Sequence, residues 1–274
     1  MGRILVTGAT GTLGNALLPR LRDAGHAVRA ASRTPDAAAR TDSTDAEWME
    51  LDLVDGTGVE RAVADVDVVV HAASAPTGDA EAVDVDGTRR LLDAAETAGV
   101  DHVVYPSIVG IEDVPLSYYE HKLAAERVVE SGSVPSTIVR ATQFHQFLDR
   151  LLGPLRWLPV WPLPTDFRMQ PVDARVVADE LVAHADAAPR GRTDAVCGPD
   201  VLDLREIATA YRDAHGYRRP ILRLPVPGAT ATAFRDGHAT LPAAASDTTT
   251  WREYLAETTD ATPDRARRTA SAST

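Results

Sequence analysis

The sequence has one cysteine, Cys197, and one lysine, Lys122, among its 274 residues. A single cysteine excludes a disulfide within the chain, which fits a reducing compartment, so we expect a cytoplasmic protein. No apolar run is long enough to span a bilayer, and we therefore expect no contact with membranes. The eight histidines are scattered and no CxxC or HxxxH spacing occurs, so we predict no metal site.

The chain also lacks an excess of basic residues. Its formal net charge is −12, with 28 Lys and Arg against 40 Asp and Glu. This balance argues against a nucleic-acid partner, because binding phosphates requires clustered Lys and Arg. We interpret the acidity as a well-solvated surface, and the 44% hydrophobic content is ample for a buried core.

Short apolar runs alternate with longer helical stretches, which predicts an α/β protein with a parallel sheet. We predict one domain over residues 1–257, with a cofactor-binding core at about 1–142 and a region containing the substrate-binding residues at about 143–257. Residues 258–274 are small, polar and dotted with arginine, and we expect them to form a disordered tail. The expected strands are Arg3–Thr7, His26–Ala31, Glu47–Leu51, Val66–His71, His102–Ser107, Ser136–Arg140, Thr193–Cys197 and Ile221–Leu224.

Three glycines, Gly8, Gly11 and Gly14, separate the first predicted strand from the first predicted helix. In such a loop the first glycine permits a tight turn, the second lets the backbone approach a pyrophosphate, and the third allows close helix–strand packing. The amino end of the helix then faces the phosphates with free N–H groups. We predict a dinucleotide site here; a plain βα turn is the alternative. Its predicted contacts are Gly8, Thr10, Gly11, Thr12, Leu13 and Gly14.

The end of the second predicted strand indicates which dinucleotide binds. Sites for NAD usually place Asp or Glu about 20 residues after the glycines, to hold the ribose 2′-hydroxyl. This chain has Ser32 and Arg33 there and no acid. Arg33 could meet a 2′-phosphate and Ser32 could add a hydroxyl donor, which predicts NADP(H) in preference to NAD(H). The alternative is an ordinary surface arginine.

Two further strand ends carry candidate cofactor contacts. Asp52 could accept a hydrogen bond from the adenine amino group, with Leu53 packing near the ring. The alternative for Asp52 is a helix cap or a solvated loop acid. His71, Ala72 and Ala73 follow the fourth strand, where small residues let a cofactor lie close to the backbone. His71 could instead be a hydrogen-bonded histidine of the core.

The stretch after the sixth predicted strand begins near where a nicotinamide would lie. We predict that Arg140, Thr142 and Phe144 line that ring. The apolar segment Gly153–Pro164, which holds two tryptophans, is predicted to cover the substrate. This composition favours a small apolar or aromatic molecule as the substrate.

The candidate catalytic set is Ser107, Tyr118 and Lys122. Tyr118 and Lys122 are four residues apart on one predicted helix, so their side chains share a face. An adjacent ammonium should lower the pKa of the Tyr118 phenol, which could then give a proton to a carbonyl oxygen. Tyr119 lies on another face and has no lysine at its own i+4 position. The alternative is that Tyr118 and Lys122 only pack on a surface helix.

Together these motifs resemble the atypical short-chain dehydrogenases/reductases of the NmrA-like group. The resemblance implies a doubly wound Rossmann sheet of seven parallel strands with a small C-terminal substrate-binding region, and pairing of two copies through helices. Two positions depart from the pattern of extended members, which carry Asn at the position of Asp84 and a serine at that of Pro106. The matching stretches are Thr7–Gly14, Leu51–Asp55, Val70–Ala73, Asp84–Ala95, Ser107, Tyr118 with Lys122, and Val172–Ala178.

The function that follows is an NADPH-dependent oxidoreductase that reduces a carbonyl or quinone-like molecule. In this hypothesis Tyr118 is the general acid, Lys122 binds the nicotinamide ribose and tunes the tyrosine, and Ser107 holds the substrate oxygen. One alternative is a non-catalytic NADP(H)-binding redox sensor of NmrA type that regulates a partner. Another is a sugar-nucleotide epimerase or dehydratase, which would need a pocket for a nucleoside diphosphate.

Overall fold

The computed structural model describes residues 2–40, 42, 44–241 and 249–260. The contacts divide the chain into two units. Unit 1 comprises Met1–Ala141 and Ala174–Val196, and unit 2 comprises Thr142–Asp173 and Cys197–Thr274. Part of the sequence beyond Ala141 therefore returns to the first unit.

The described strands are β1 (Arg3–Thr7), β2 (Ala27–Ser32), β3 (Glu47–Glu50), β4 (Val68–His71), β5 (His102–Ile108), β6 (Ser136–Ala141), β7 (Trp161–Leu163), β8 (Arg168–Met169), β9 (Gly191–Arg192), β10 (Leu202–Asp203) and β11 (Ile221–Arg223). The described α-helices are α1 (Thr12–Asp23), α2 (Pro35–Ala39), α3 (Val59–Val63), α4 (Gly87–Ala98), α5 (Ser117–Ser131), α6 (His145–Leu152), α7 (Ala174–Ala185), α8 (Leu204–Ala214) and α9 (Ala229–Asp236). Residues 251–260 form a further helix. A π-helical segment, Glu81–Asp86, leads into α4, and a 3₁₀ segment, Gly153–Trp157, follows α6.

The main feature of unit 1 is a parallel sheet with seven described strands, in the order β3-β2-β1-β4-β5-β6-β9. The chain runs outward from β1 in one direction and from β4 in the other, so the order reverses between these two strands. The register pairs Val6 with Val70 and Thr7 with His71 at the carboxyl ends. A doubly wound α/β sheet binds ligands at this reversal point. The predicted fold class is confirmed, as is the strand count that the family resemblance implies.

The sequence of the central strands explains why they lie in the middle of the sheet. The apolar residues of β1 and β4 are largely buried, as expected for parallel strands covered on both faces. One group of helices, α3, α4 and α5, packs together on the core that contains Leu5, Val69 and Val103. Another pair, α1 and α7, packs together as well.

Unit 2 has a core of its own. Strands β7 and β11 pair in parallel, and β8 and β10 pair antiparallel. The core contains Leu148 of α6, Ile207 of α8 and Trp251, whose indole N–H donates to the Ile207 carbonyl oxygen at 3.0 Å. Helix α8 begins with a capping box in which Asp203 and Glu206 satisfy each other's backbone N–H groups.

The structure differs from the expected elements at two places. The strand predicted at 193–197 is replaced by β9, because only Thr193 and Val196 bond to β6, with irregular backbone between them. Residues 258–260 of the predicted tail are helical, and 261–274 lie outside the described residues.

Within the described ranges, no helix has the length and apolar composition needed to cross a bilayer.

Candidate active site

The glycine loop packs tightly at the carboxyl ends of β1 and β4. Gly8 has a φ of 66°, which favours glycine, and a Cβ there would lie 2.6 Å from the Ala72 carbonyl oxygen and the Ala73 nitrogen. A Cβ on Gly14 would overlap the Gly8 carbonyl oxygen and lie 2.6 Å from Ala9 backbone atoms. The loop therefore forms a cradle of bare backbone that side chains at these positions would fill.

The amino end of α1 completes this cradle. The helix begins at Thr12 with no side-chain cap and no acidic residue in its first turn. Its first N–H groups and the positive end of its dipole thus remain for an anion. Leu13 is buried, whereas Thr10 is exposed and its carbonyl accepts from the Asn15 amide at 3.1 Å. These features fit a dinucleotide pyrophosphate.

We expect Gly14→Ala to destabilise the protein, since the new methyl group meets rigid backbone on two sides. The loss should be ~1–3 kcal/mol in the free energy of unfolding, measured with denaturant. Gly132→Ala is the matched control, because its Cβ would meet no atom nearer than 3.4 Å. Equal stability of the two variants would contradict the close packing.

Ser32 and Arg33 lie at the carboxyl end of β2. The Ser32 hydroxyl accepts a hydrogen bond from the Thr34 nitrogen at 3.1 Å. Arg33 is exposed, and no carboxylate of the described residues pairs with it. Its positive charge is therefore not neutralised by the described protein.

Asp52 and Leu53 follow β3. The Asp52 carboxylate accepts from the Val54 nitrogen at 2.7 Å, so it stabilises its own turn. Leu53 is buried in the core of unit 1, against Gly87 at the start of α4. Their contacts with adenine stay predictions.

His71 is a neutral core residue. Thr88 donates its hydroxyl hydrogen to the Asp84 carbonyl, so it must accept from His71 Nε2 at 2.9 Å. Thr7 then donates to His71 Nδ1 at 2.7 Å. Burial, with the nearby Lys122 charge, lowers the pKa of His71 to about 3. Both ring nitrogens of His71 are therefore occupied by protein partners, and the contacts of His71, Ala72 and Ala73 with a cofactor stay predictions.

Lys122 is buried on the inner face of α5. Its ammonium donates to the Tyr105 hydroxyl at 2.5 Å and to the Pro106 carbonyl at 3.3 Å. It also lies 4.2 Å from the centre of the Tyr105 ring and 3.8 Å from Asp84 Oδ1. Burial lowers the pKa of Lys122 to about 8, although Asp84 and Glu126 oppose this shift. The ammonium is therefore held by a tyrosine that lies on β5.

Tyr118 is linked to a carboxylate. Its hydroxyl lies 2.7 Å from Ser74 Oγ, and Ser74 donates to Asp84 Oδ1 at 2.7 Å. Burial raises the pKa of Tyr118 to about 12, and the nearby Asp84 and Tyr119 raise it further. The expectation that Lys122 lowers this pKa is therefore wrong, because the ammonium points to Tyr105 and the Asp84 charge is linked to the phenol.

Ser107 lies on β5, beside the Pro106 carbonyl that Lys122 contacts. The Ser107 side chain is buried, and its hydroxyl has no hydrogen-bond partner among the described residues. A buried polar group without a partner is costly and often marks a functional position. This hydroxyl therefore remains available to a ligand oxygen.

Sequence reasoning assigned no site role to three residues of this cluster, Tyr105, Ser74 and Asp84. A feature of the sequence could have pointed to each of them. Tyr105 lies two residues before Ser107 on a strand, so both side chains point to the same face. Ser74 directly follows Ala72 and Ala73. Asp84 stood out as a departure from the family's asparagine, and the π-helical segment turns its carboxylate inward, where it is 1% exposed.

The residues predicted to line the nicotinamide, Arg140, Thr142 and Phe144, are divided between the two units, and their contacts with the ring stay predictions. The Arg140 guanidinium donates to Glu126 at 2.9 and 2.7 Å and to Glu112 at 3.2 and 3.0 Å. Contact with nicotinamide would require it to leave both carboxylates. Thr142 and Phe144 belong to unit 2, where Thr142 accepts from the Gly198 nitrogen at 3.3 Å.

In the described part of the chain, no cluster of three metal-binding side chains occurs.

A doubly wound sheet with a glycine cradle at its reversal point defines a dinucleotide-binding protein. The profile of a family described as NAD(P)H-binding matches residues 8–149. A (4-alkanoyl-5-oxo-2,5-dihydrofuran-3-yl)methyl phosphate reductase from Streptomyces griseus is 32% identical over 213 residues, 74% of this chain and 70% of that protein. The chain belongs to the NAD(P)H-binding family.

Solved structures give the same fold. An NADPH-dependent quinone oxidoreductase from Escherichia coli, complexed with NADPH, has a TM-score of 0.79 at 18% identity, covering 93% of this chain and 99% of that one. A triphenylmethane reductase from Citrobacter sp., complexed with NADP(H), has a TM-score of 0.76 at 17% identity, covering 94% and 99%. The fold implied by the resemblance to atypical short-chain dehydrogenases/reductases is therefore confirmed, and the chain has an NAD(P)-binding fold.

Proposed function

We propose that the protein is an NADPH-dependent reductase of a small apolar carbonyl or quinone-like compound, with Tyr118, Lys122 and Ser107 as its catalytic residues. The observation that carries the proposal is the cluster of partly buried Tyr118 and buried Lys122, both linked to Asp84, in the same unit as the glycine cradle. The cofactor would supply hydride, and the protein must supply the proton and hold the substrate oxygen.

The state of Tyr118 supports its role as a proton donor. With a pKa raised to about 12, the phenol keeps its proton throughout the physiological range. A group that protonates an oxygen must hold a proton when the substrate binds. The negative charge that then forms on Tyr118 needs a nearby cation, and Lys122 is the buried cation on the same helix face.

Ser107 and Lys122 supply the remaining polar contacts. The unpartnered Ser107 hydroxyl can donate to the substrate oxygen. Lys122 uses two of its three N–H groups on Tyr105 and Pro106, which leaves one for a ribose hydroxyl. Binding of the substrate oxygen by Ser107 and of the ribose by Lys122 needs no further charged residue.

The apolar character proposed for the substrate depends on the segment Gly153–Pro164. Trp157 in this segment is 77% exposed, and Leu158 is exposed as well. Large exposed apolar side chains of this kind favour an apolar ligand. The relatives named as quinone and triphenylmethane reductases act on compounds that fit this description.

We expect Arg33→Ala to weaken NADPH binding by about 10- to 100-fold and to leave NADH binding nearly unchanged. The reason is that Arg33 carries a charge without a partner among the described residues, and only NADPH has the 2′-phosphate. Dissociation constants for both cofactors measure the effect. Arg40→Ala, at another exposed arginine, is the control. An equal loss for both cofactors would refute the preference for NADPH.

The test of the proposed function is NADPH oxidation across a panel of quinones, aldehydes and ketones. We expect turnover with at least one class and none without a substrate. Tight NADPH binding with no oxidation across the panel would instead favour the redox-sensor alternative.

A further inference from the structure

The hydrogen bonds around Tyr118 have only one consistent direction. Asp84 is buried, and its carboxylate can only accept. Its Oδ2 accepts from the Ala75 nitrogen at 2.9 Å, and its Oδ1 accepts from Ser74 at 2.7 Å. Since the Ser74 hydrogen is used in this bond, Ser74 Oγ must accept from the Tyr118 hydroxyl.

An asparagine at position 84 would reverse this chain. Its amide oxygen would stay on the Ala75 N–H, so its NH₂ group would face Ser74 and donate to it. The Ser74 hydrogen would then point to the Tyr118 oxygen, and the phenol hydrogen would point away from Ser74. Whether residue 84 is an acid or an amide therefore decides whether the Tyr118 hydroxyl hydrogen points to Ser74 or away from it.

We propose that Asp84 and Ser74 are a positioning pair that orients the Tyr118 hydroxyl. In this pair Ser74 Oγ accepts the hydrogen bond from Tyr118 until a substrate oxygen replaces Ser74 as the acceptor. This inference rests on the proposed function of the same site. Neither residue of the pair exchanges a proton with the substrate. Their effect is on the direction and the position of the phenol.

Asp84 also acts on the charge of Lys122. The ammonium faces Asp84 on the π-helical segment, Glu126 one turn along α5, Tyr105 on β5 and the neutral His71 on β4. Glu126 is itself bonded to Arg140 and Arg192. Asp84 is thus the acid beside Lys122 that has no arginine on it among the described residues.

The pair is tested on three variants: Asp84→Asn, Ser74→Ala and Ser74→Thr. Carbon NMR of ring-labelled tyrosine, with the Tyr118 signal assigned from Tyr118→Phe, follows the ionisation of the phenol. We expect Asp84→Asn to move this titration to lower pH, because a negative charge is removed and the reversed Ser74 hydroxyl can donate to the phenolate. Ser74→Ala should also move it to lower pH, because the acceptor that stabilises the protonated phenol is lost. Ser74→Thr should restore the wild-type titration. Asp86→Asn, an exposed acid two residues away, is the matched control and should change nothing.

Kinetics give the second readout. The alkaline limb of the pH profile should follow Lys122, whose pKa is about 8, and Asp84→Asn should move it to lower pH. Ser74→Ala should lower kcat about 10- to 100-fold with little change in the KM for NADPH. Unchanged Tyr118 titration in both Asp84→Asn and Ser74→Ala would overturn the inference. Because the NMR result requires no turnover, an inactive wild-type protein would refute only the proposed function.

Discussion

Tyr118→Phe should lower turnover by about 10²- to 10⁴-fold while NADPH binding stays within a few-fold of wild type. The substitution removes one hydroxyl, whose bond to Ser74 links the phenol to the Asp84 carboxylate. The ring remains, so the packing of α5 is largely kept. The loss therefore reports the proton that the phenol supplies, and initial rates of NADPH oxidation measure it.

The control for this prediction lies next to it on the helix. Tyr119 is buried, and its side chain lies on a different face of α5 from that of Tyr118. Tyr119→Phe should keep turnover within a few-fold of wild type. If the two variants lost activity equally, the assignment of Tyr118 as the proton donor would fail.

Lys122→Arg should also abolish most turnover, by at least about 100-fold, although it keeps the positive charge. The ammonium lies 2.5 Å from the Tyr105 hydroxyl and is 4% exposed at the residue level, so a planar guanidinium does not fit the same space. The guanidinium would clash with Tyr105 or Asp84, and it would be displaced from the position in which the ammonium could bind a ribose hydroxyl. Turnover and NADPH affinity, measured together, separate the two roles.

Arg127, an exposed residue on α5, provides the control for exchanging arginine and lysine as such. Arg127→Lys should leave turnover and cofactor affinity unchanged. Lys122→Met adds a variant that removes the charge and keeps the chain length. Full turnover in Lys122→Arg would show that charge is sufficient and that the compact ammonium has no specific role.

The sequence predicts the local parts of this site well. The glycine loop is a strand, a turn and a helix in direct succession, and the shared face of Tyr118 and Lys122 follows from helical spacing. Each of these needs only neighbours along the chain. The seven-stranded sheet followed in the same way from apolar runs together with a family resemblance.

The hydrogen-bond partners could not be predicted in this way. Ser74 is 44 residues from Tyr118, and Tyr105 is 17 residues from Lys122. These pairs form only when the strands and helices pack. The spacing indicated a lysine that tunes its neighbouring tyrosine, whereas packing directs the ammonium to Tyr105 and links Tyr118 to Asp84.

The most direct test of the central claim is a single-turnover experiment with the protein–NADPH complex and the best substrate of the panel. Wild type, Tyr118→Phe and Lys122→Arg are compared side by side, and both oxidised cofactor and reduced product are quantified. We predict one reduced product per NADPH in wild type, and oxidation of the cofactor that is at least about 100-fold slower in both variants. Oxidation at the wild-type rate in either variant would contradict the account.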